Sequence, residues 1–221
     1  MSHHATLFTA LAGIVSLLVA APAQGDDEIT VRLLKRIGDP LCPGPNHVDL
    51  FYQPGEDIAL SVAYCTEQIN IWAVDAVSDI GRVTLNGSGG PDLKVFIGSG
   101  TFPTGGGAMT PACGDFDGLV ITNSTLRDNT SFAGRVRDNL TGSVHVGEMY
   151  RFDVDGEIQG SIRATSAGLF RVNAGTSTSA GTITCDTGAI DRVDIDGTVN
   201  GSITAALLTS AQRMKHHTSR N

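Results

Sequence analysis

The chain has 221 residues, a net charge of −8, 27 glycines and only 5% aromatic residues. The acidic balance argues against a nucleic-acid surface or a polyanion receptor. The scarcity of aromatics and the wealth of glycine suit narrow strands with many corners and suit a helical bundle poorly.

Residues 7–20 form an apolar run too short to span a bilayer as a helix. It leads into Ala21-Pro22-Ala23, an A-x-A cleavage pattern. Residues 1–23 therefore read as a secretory signal peptide, and no later segment reaches transmembrane length. The expected location is secreted, periplasmic or cell-surface. An oxidising compartment suits the even number of cysteines, Cys42, Cys65, Cys113 and Cys185. Three pairings are open. Cys42–Cys65 is favoured because both residues lie in one non-repeating segment, which leaves Cys113–Cys185 as the second pair.

Residues 24–68 follow no repeat. Ile29-Thr30-Val31-Arg32-Leu33 alternates like a strand, as do residues 57–64, and Asp39-Pro40, Pro43-Gly44-Pro45 and Pro54-Gly55 break the chain between them. This segment reads as a cap. From Ile69 short strands succeed one another: residues 69–77, 82–85, 93–97, 119–121 and 135–137. Residues 98–112, rich in Gly, Pro and Thr, are the expected excursion.

The clearest pattern lies in residues 139–206. Gly142-Ser143-Val144, Gly160-Ser161-Ile162, Gly181-Thr182-Ile183 and Gly201-Ser202-Ile203 recur at a step of about 20 residues. Between them run Phe152-Asp153-Val154-Asp155-Gly156, Phe170-Arg171-Val172-Asn173-Ala174 and Val193-Asp194-Ile195-Asp196-Gly197. Two alternating pieces per period predict an all-β fold, a single-stranded parallel β-helix or β-solenoid spanning residues 69–206. Stacking places Phe152, Phe170 and Val193 in one inner column and Val154, Val172 and Ile195 in another. Outside, Asp153, Arg171 and Asp194 form an acid–base–acid row in which each neighbour attracts the next. The glycines mark corners that need a positive φ or no Cβ. Residues 203–215 have helical spacing, so a short closing helix is expected before a polar tail, with 207–221 as C-terminal cap and tail.

Two Asp-x-Asp-Gly runs resemble calcium loops, but Arg151 and Arg192 fall where the first oxygen ligand belongs, and Ile162 and Ile203 fall where the bidentate carboxylate belongs. They read as outer-face acids, and no metal or other cofactor is expected. Nucleophilic catalysis has no motif: Gly-x-Ser-x-Gly and His-Glu-x-x-His are absent from the sequence. His145, between Val144 and Val146, should face outward. Asn-x-Ser/Thr occurs at Asn86, Asn123, Asn129, Asn139 and Asn200.

The cadence of residues 196–205, Asp-Gly-Thr-Val-Asn-Gly-Ser-Ile-Thr-Ala, resembles two groups. One is the bactofilins, small bacterial β-helix proteins that polymerise end to end. The other is a set of exported repeat proteins of environmental bacteria. Both resemblances cover residues 139–206, imply a β-helix, and imply no catalytic residue. The expected function is therefore that of an exported structural or interaction protein presenting a rigid β face, and no catalytic activity is inferred from the sequence. The alternative is a carbohydrate-binding or carbohydrate-cleaving β-helix, for which Asp153, Arg171 and Asp194 are the candidate binding residues. Expected partners are a second copy, end to end or face to face, or a cell-surface polysaccharide. A glycan-active protein should show an aromatic platform, with Tyr150, Phe102, Phe132 and Trp72 as its candidates.

Overall fold

The computed structural model describes residues 28–104, 107–166, 171–174, 181–189, 192–195 and 202–207, with backbone alone at 166, 171–174, 189, 192–195 and 206–207. The segment read as a signal peptide, Phe170, Asp196, the glycine at 201 and the tail beyond Leu207 lie outside the described residues.

The fold is all-β. One sheet of mixed parallel and antiparallel strands takes in all fourteen described strands. They are β1 (Ile29–Lys35), β2 (His47–Tyr52), β3 (Ile58–Val62), β4 (Thr66–Ala73), β5 (Val83–Gly87), β6 (Leu93–Ile97), β7 (Phe116–Ile121), β8 (Thr130–Val136), β9 (Leu140–Val154), β10 (Ser161–Ser166), β11 (Arg171–Ala174), β12 (Thr182–Ala189), β13 (Arg192–Ile195) and β14 (Ser202–Leu207), with one short helix, α1 (Ser124–Asp128). Strand propensity explains the choice. Ile, Val, Leu and Phe alternate with Ser, Thr, Asn and charged residues, and β3 runs buried-exposed-buried-exposed-buried along its length.

From β3 onward every pairing is parallel. The chain moves back and forth between two series. One runs β4, β6, β8, the second half of β9, β11 and β13. The other runs β3, β5, β7, the first half of β9, β10, β12 and β14. Inward residues of both series share one core, from Ile29 and Ile58 through Phe116, Phe132 and Phe152 to Ile183 and Cys185. In the second series Ile58, Val83, Leu119, Val144, Ile162, Ile183 and Ile203 stand in register. The last three steps match the repeat read from sequence, while the earlier ones are longer and carry the insertions.

The first strands depart from a purely parallel scheme. β1 runs antiparallel to β4, and β2 antiparallel to β1. β3, which lies within the segment read as a cap, already pairs in parallel with β5. Residues 202–207 are extended and pair with β12, so the expected closing helix does not include them. The hydrogen bonds available along the β12 edge outweigh the weak helical spacing of Ala205 and Leu207.

Two devices bring successive passes of the chain together. The first is polar. The Asp79 carboxylate accepts from the Asp115 amide at 2.8 Å. Asp115 accepts from both the backbone N–H and the Nδ2 of Asn139, at 2.8 and 2.9 Å. The Asn139 Oδ1 in turn accepts from the Glu157 amide at 2.9 Å. Each side chain thus satisfies the backbone of the next pass where the strand hydrogen bonds stop. Asn139 is a sequon on paper, but both ends of its amide are committed. The second device is the absence of Cβ. A Cβ on Gly142 would run into the Asp117 carbonyl, one on Gly160 into Gly142, and one on Gly181 into the Ile158 and Gly160 carbonyls. Of the two reasons sequence offered for these corners, close approach is the operative one, since positive φ is found elsewhere, at Gly87 and Gly118.

Cys42 and Cys65 form a disulfide with Cα atoms 5.4 Å apart. Cys113 and Cys185 do not pair. Both are free and buried. Cys185 stands in register with Ala164 and, one strand further, Val146, while Cys113 precedes β7, the neighbour of β9 on the other side. Three strand spacings are about 14 Å, twice the Cα separation a disulfide can bridge.

Gly160→Ala should destabilise the protein by at least ~2 kcal/mol, because backbone rather than a flexible side chain occupies the space. Val146→Ala, which opens a cavity without forcing the passes apart, should cost a comparable ~1–3 kcal/mol but leave the denaturant slope unchanged. Urea unfolding followed by circular dichroism gives both quantities, and a Gly160→Ala protein as stable as the wild type would refute the close-approach account.

Candidate functional site

The residues singled out by sequence fall on three neighbouring strands of the first series, Asp153 on β9, Arg171 on β11 and Asp194 on β13. The backbone register there differs from the one expected. Asn173, not Arg171, stands between Asp153 and Asp194, and Arg171 stands between Arg151 and Arg192. Val172 likewise aligns with Phe152 and Val193, and Ala174 with Val154 and Ile195.

Asp153 is also not a solvated surface acid. It is 5% exposed. Arg151 holds it through two contacts, Nε to Oδ1 at 3.0 Å and Nη2 to Oδ2 at 2.6 Å. The reason is the excursion after β6. Residues of that loop cross the outer face of β6, β8 and β9 as a strap. Phe96, Phe102, Met109 and Ala133 form a second apolar cluster beneath it, with Tyr150 packed alongside. Phe102 meets Phe96 and Tyr150 edge to face, at 6.3 and 5.4 Å between centroids. Arg135 donates to the Met109 carbonyl and Arg151 to the Gly107 carbonyl, both at 2.8 Å. Arg135 also grips Asp155 with two bonds of 3.0 Å. The arginines thus tie the strap down while two carboxylates balance their charge.

Three of the expected aromatic candidates are consumed by packing: Phe132 is fully buried, and Phe102 and Tyr150 belong to the strap cluster. The fourth, Trp72, is half-buried on the outer face of β4. It shares a row with two residues that sequence did not point to. Thr30 of β1 lies in register with both Phe51 of β2 and Trp72 of β4. Phe51 is 39% exposed, and Thr30 between the two rings is buried. The next row is Asp49–Arg32–Asn70, and the one after it His47–Leu34–Gln68. Arg32 clasps Asp49 with Nε and Nη2, each at 2.7 Å, which holds the Asp49 carboxyl below the usual carboxylate range. The Arg32 guanidinium carbon lies 5.5 Å from the Trp72 ring centroid. Asn70 donates to the Gly100 carbonyl of the strap at 2.7 Å, and Gln68 donates to Asn70 at 2.6 Å. The result is a flat three-strand ledge, bounded on the β6 side by the strap. The signal available in sequence was the stretch His47-Val48-Asp49-Leu50-Phe51-Tyr52, whose alternation would have marked β2 and set Phe51 outward.

The helix α1 joins β7 to β8 and packs beside the middle of β9, with Leu126 buried in the main core. Asn123 caps that helix, its side chain accepting from the Leu126 amide at 3.0 Å. Gly147 of β9 admits the Asp128 carbonyl where a Cβ would stand. His145 faces outward as expected, but its Nε2 is buried without a hydrogen-bond partner among the described residues. Burial, then the Arg127 and Arg163 charges, lower its pKa below the ordinary 6.5, with Asp186 and Asp128 opposing. Among the described residues no group of three His, Cys, Asp or Glu side chains is placed to hold a metal ion. Comparison with protein-family models, with curated proteins and with solved structures finds no match.

Removing Asp153 takes away a carboxylate that the Arg151 guanidinium, 16% exposed, grips with two nitrogens. Asp153→Ser should therefore cost about 2–4 kcal/mol. This reverses the near-neutral effect that a solvated strand acid would show. Arg82→Ala, which removes a pair exposed to 52% and 38%, should cost under ~1 kcal/mol. Equal losses in chemical denaturation would sink the distinction. His145 supplies a pH dependence. Its folded pKa is depressed, so the folded state binds fewer protons and stability is fully present above about pH 6.5, then is lost as pH falls through the folded value. His145→Gln should flatten the stability profile in that acidic window. A profile unchanged by the substitution would show that His145 does not contribute.

Proposed function

We propose that this protein is an exported structural scaffold, a β-solenoid that presents rigid strand faces and assembles with further copies of itself. The observation that supports this reading is the polarity of the terminal strands. In the first series β2 runs in the same sense as β4, because two antiparallel steps through β1 restore the direction, and every later strand to β13 keeps it. In the second series β3 and β14 likewise share one direction. A copy translated along the stack would set parallel strands against both series at once. Apolar inner residues near the ends, Leu33, Leu50 and Tyr52 at one and Ile203 and Ala205 at the other, are only partly buried. Export is supported by the Cys42–Cys65 disulfide and by the sequence of residues 1–23. No helix among the described residues is long and apolar enough to cross a membrane.

A solenoid assembles by the same contacts that join its own passes, so its affinity for itself should rise with every strand pair formed. Size exclusion with light scattering on the full chain, purified with its disulfide intact over a wide concentration range, tests this. Growth to large species as concentration rises is the expected result. A single species of about one chain mass at every concentration would overturn the assembly and leave a monomeric binding module.

A further inference from the structure

We propose that the ledge formed by the outer faces of β2, β1 and β4 binds an uncharged polysaccharide of hexopyranose units. Phe51 and Trp72 stand two strands apart on one face, about 10 Å, the reach of roughly two linked pyranose rings; Phe51 offers the exposed ring, and Trp72 is half-buried with the Arg32 guanidinium over it. The Phe51 ring is 39% exposed although it lies on a sheet face whose neighbour Thr30 is buried. Phe51 is thus an exposed aromatic side chain, whereas Phe96 and Phe102 under the strap are buried. The axial C–H face of a sugar is apolar and flat, and packs on an aromatic ring while its equatorial hydroxyls point outward. The row beside the rings supplies what those hydroxyls need. Arg32 and Asp49 hold each other rigidly through two bonds, and that leaves the Arg32 Nη1 donors and further lone pairs of Asp49 open to a ligand. Both side chains reach solvent, at 36% and 24% exposure.

The class of sugar follows from charge. The only ion pair in the two rows is internally neutral, and the whole chain carries −8, so a polyuronate or sulfated chain would meet net repulsion with no surplus cation on the ledge. The strap, fixed to Asn70 through Gly100, walls the ledge on one side. Among the described residues no strand pairs with the far edge of β2, which suits an elongated chain lying across the strands.

The inference rests on the interaction-scaffold reading, but its test is separate. Trp72 is the only tryptophan in the chain, so its fluorescence reports the ledge directly, per chain, whether or not chains associate. The full chain is titrated with cellohexaose, mannohexaose and maltohexaose, and with polygalacturonate as the acidic control. A saturable change in emission with at least one neutral hexasaccharide is expected, weakened fivefold or more by Phe51→Ala. Should that variant melt below the wild type, Phe51→Leu, which keeps bulk and removes the ring, takes its place. No response to any neutral probe, a response to polygalacturonate alone, or binding indifferent to Phe51 would each overturn the inference. A failed titration beside concentration-dependent association would leave the scaffold standing, and a working titration on a monomeric protein would leave the ledge standing.

Discussion

Successive passes of this chain approach so closely at their corners that neither a Cβ nor an unpaired amide can be tolerated between them. Gly142, Gly160 and Gly181 answer the steric half of that constraint. The relay from Asp79 through Asp115 and Asn139 to the Glu157 amide answers the polar half. The strands themselves satisfy their backbones along each face, as any sheet does. A corner has no such partner by default, and a buried amide left unpaired costs about as much as several surface contacts contribute. Stacking Ile80, Phe116, Leu140 and Ile158, all buried, is possible because the polar atoms beside them are already satisfied.

The outside of the sheet is treated in three different ways, and this variety sets where chemistry is available. The strap converts part of one face into a second core, with arginines serving as ties to carbonyl oxygens. The helix α1 fills the turn from β7 to β8, near which His145 has a buried nitrogen and the charges of Arg127 and Arg163 for neighbours. The ledge of β2, β1 and β4 keeps Phe51 exposed, and its charges are paired locally by Arg32 and Asp49. Carboxylates and guanidiniums are plentiful on the molecule, yet they act mainly on one another, as at Arg135–Asp155 and Arg163–Asp186.

The strand content and the Cys42–Cys65 pair were legible because each has a local cause: alternation and shared segment. The placement of Arg171 was not. Facing depends on a period of two residues, so sliding one strand by two keeps every side chain on its own face while changing every neighbour. Matching Phe170 to Phe152 looked as good as matching Val172 to it, and the structure takes the second. The burial of Asp153 was hidden for another reason. Nothing within Phe152-Asp153-Val154 announces that a loop starting some 55 residues earlier will lie across it. The ledge escaped notice because β1 and β2 join antiparallel, outside the repeat, and its rows exist only once three strands separated in sequence are set side by side.

β9 runs unbroken for 15 residues and serves both series, its first half pairing with β7 and β10 and its second with β8 and β11. The two faces are therefore phased against each other through one strand, whose register against β8 shifts by one residue between Met149 and Arg151. Length can vary freely in the strap or around α1, where added residues leave both registers untouched. One residue gained or lost within β9 would displace one face relative to the other and turn a whole half-strand inside out. Natural variation in chain length should accordingly gather in those two insertions and spare residues 140–154, and chimaeras between related chains should be joined on either side of β9, never within it.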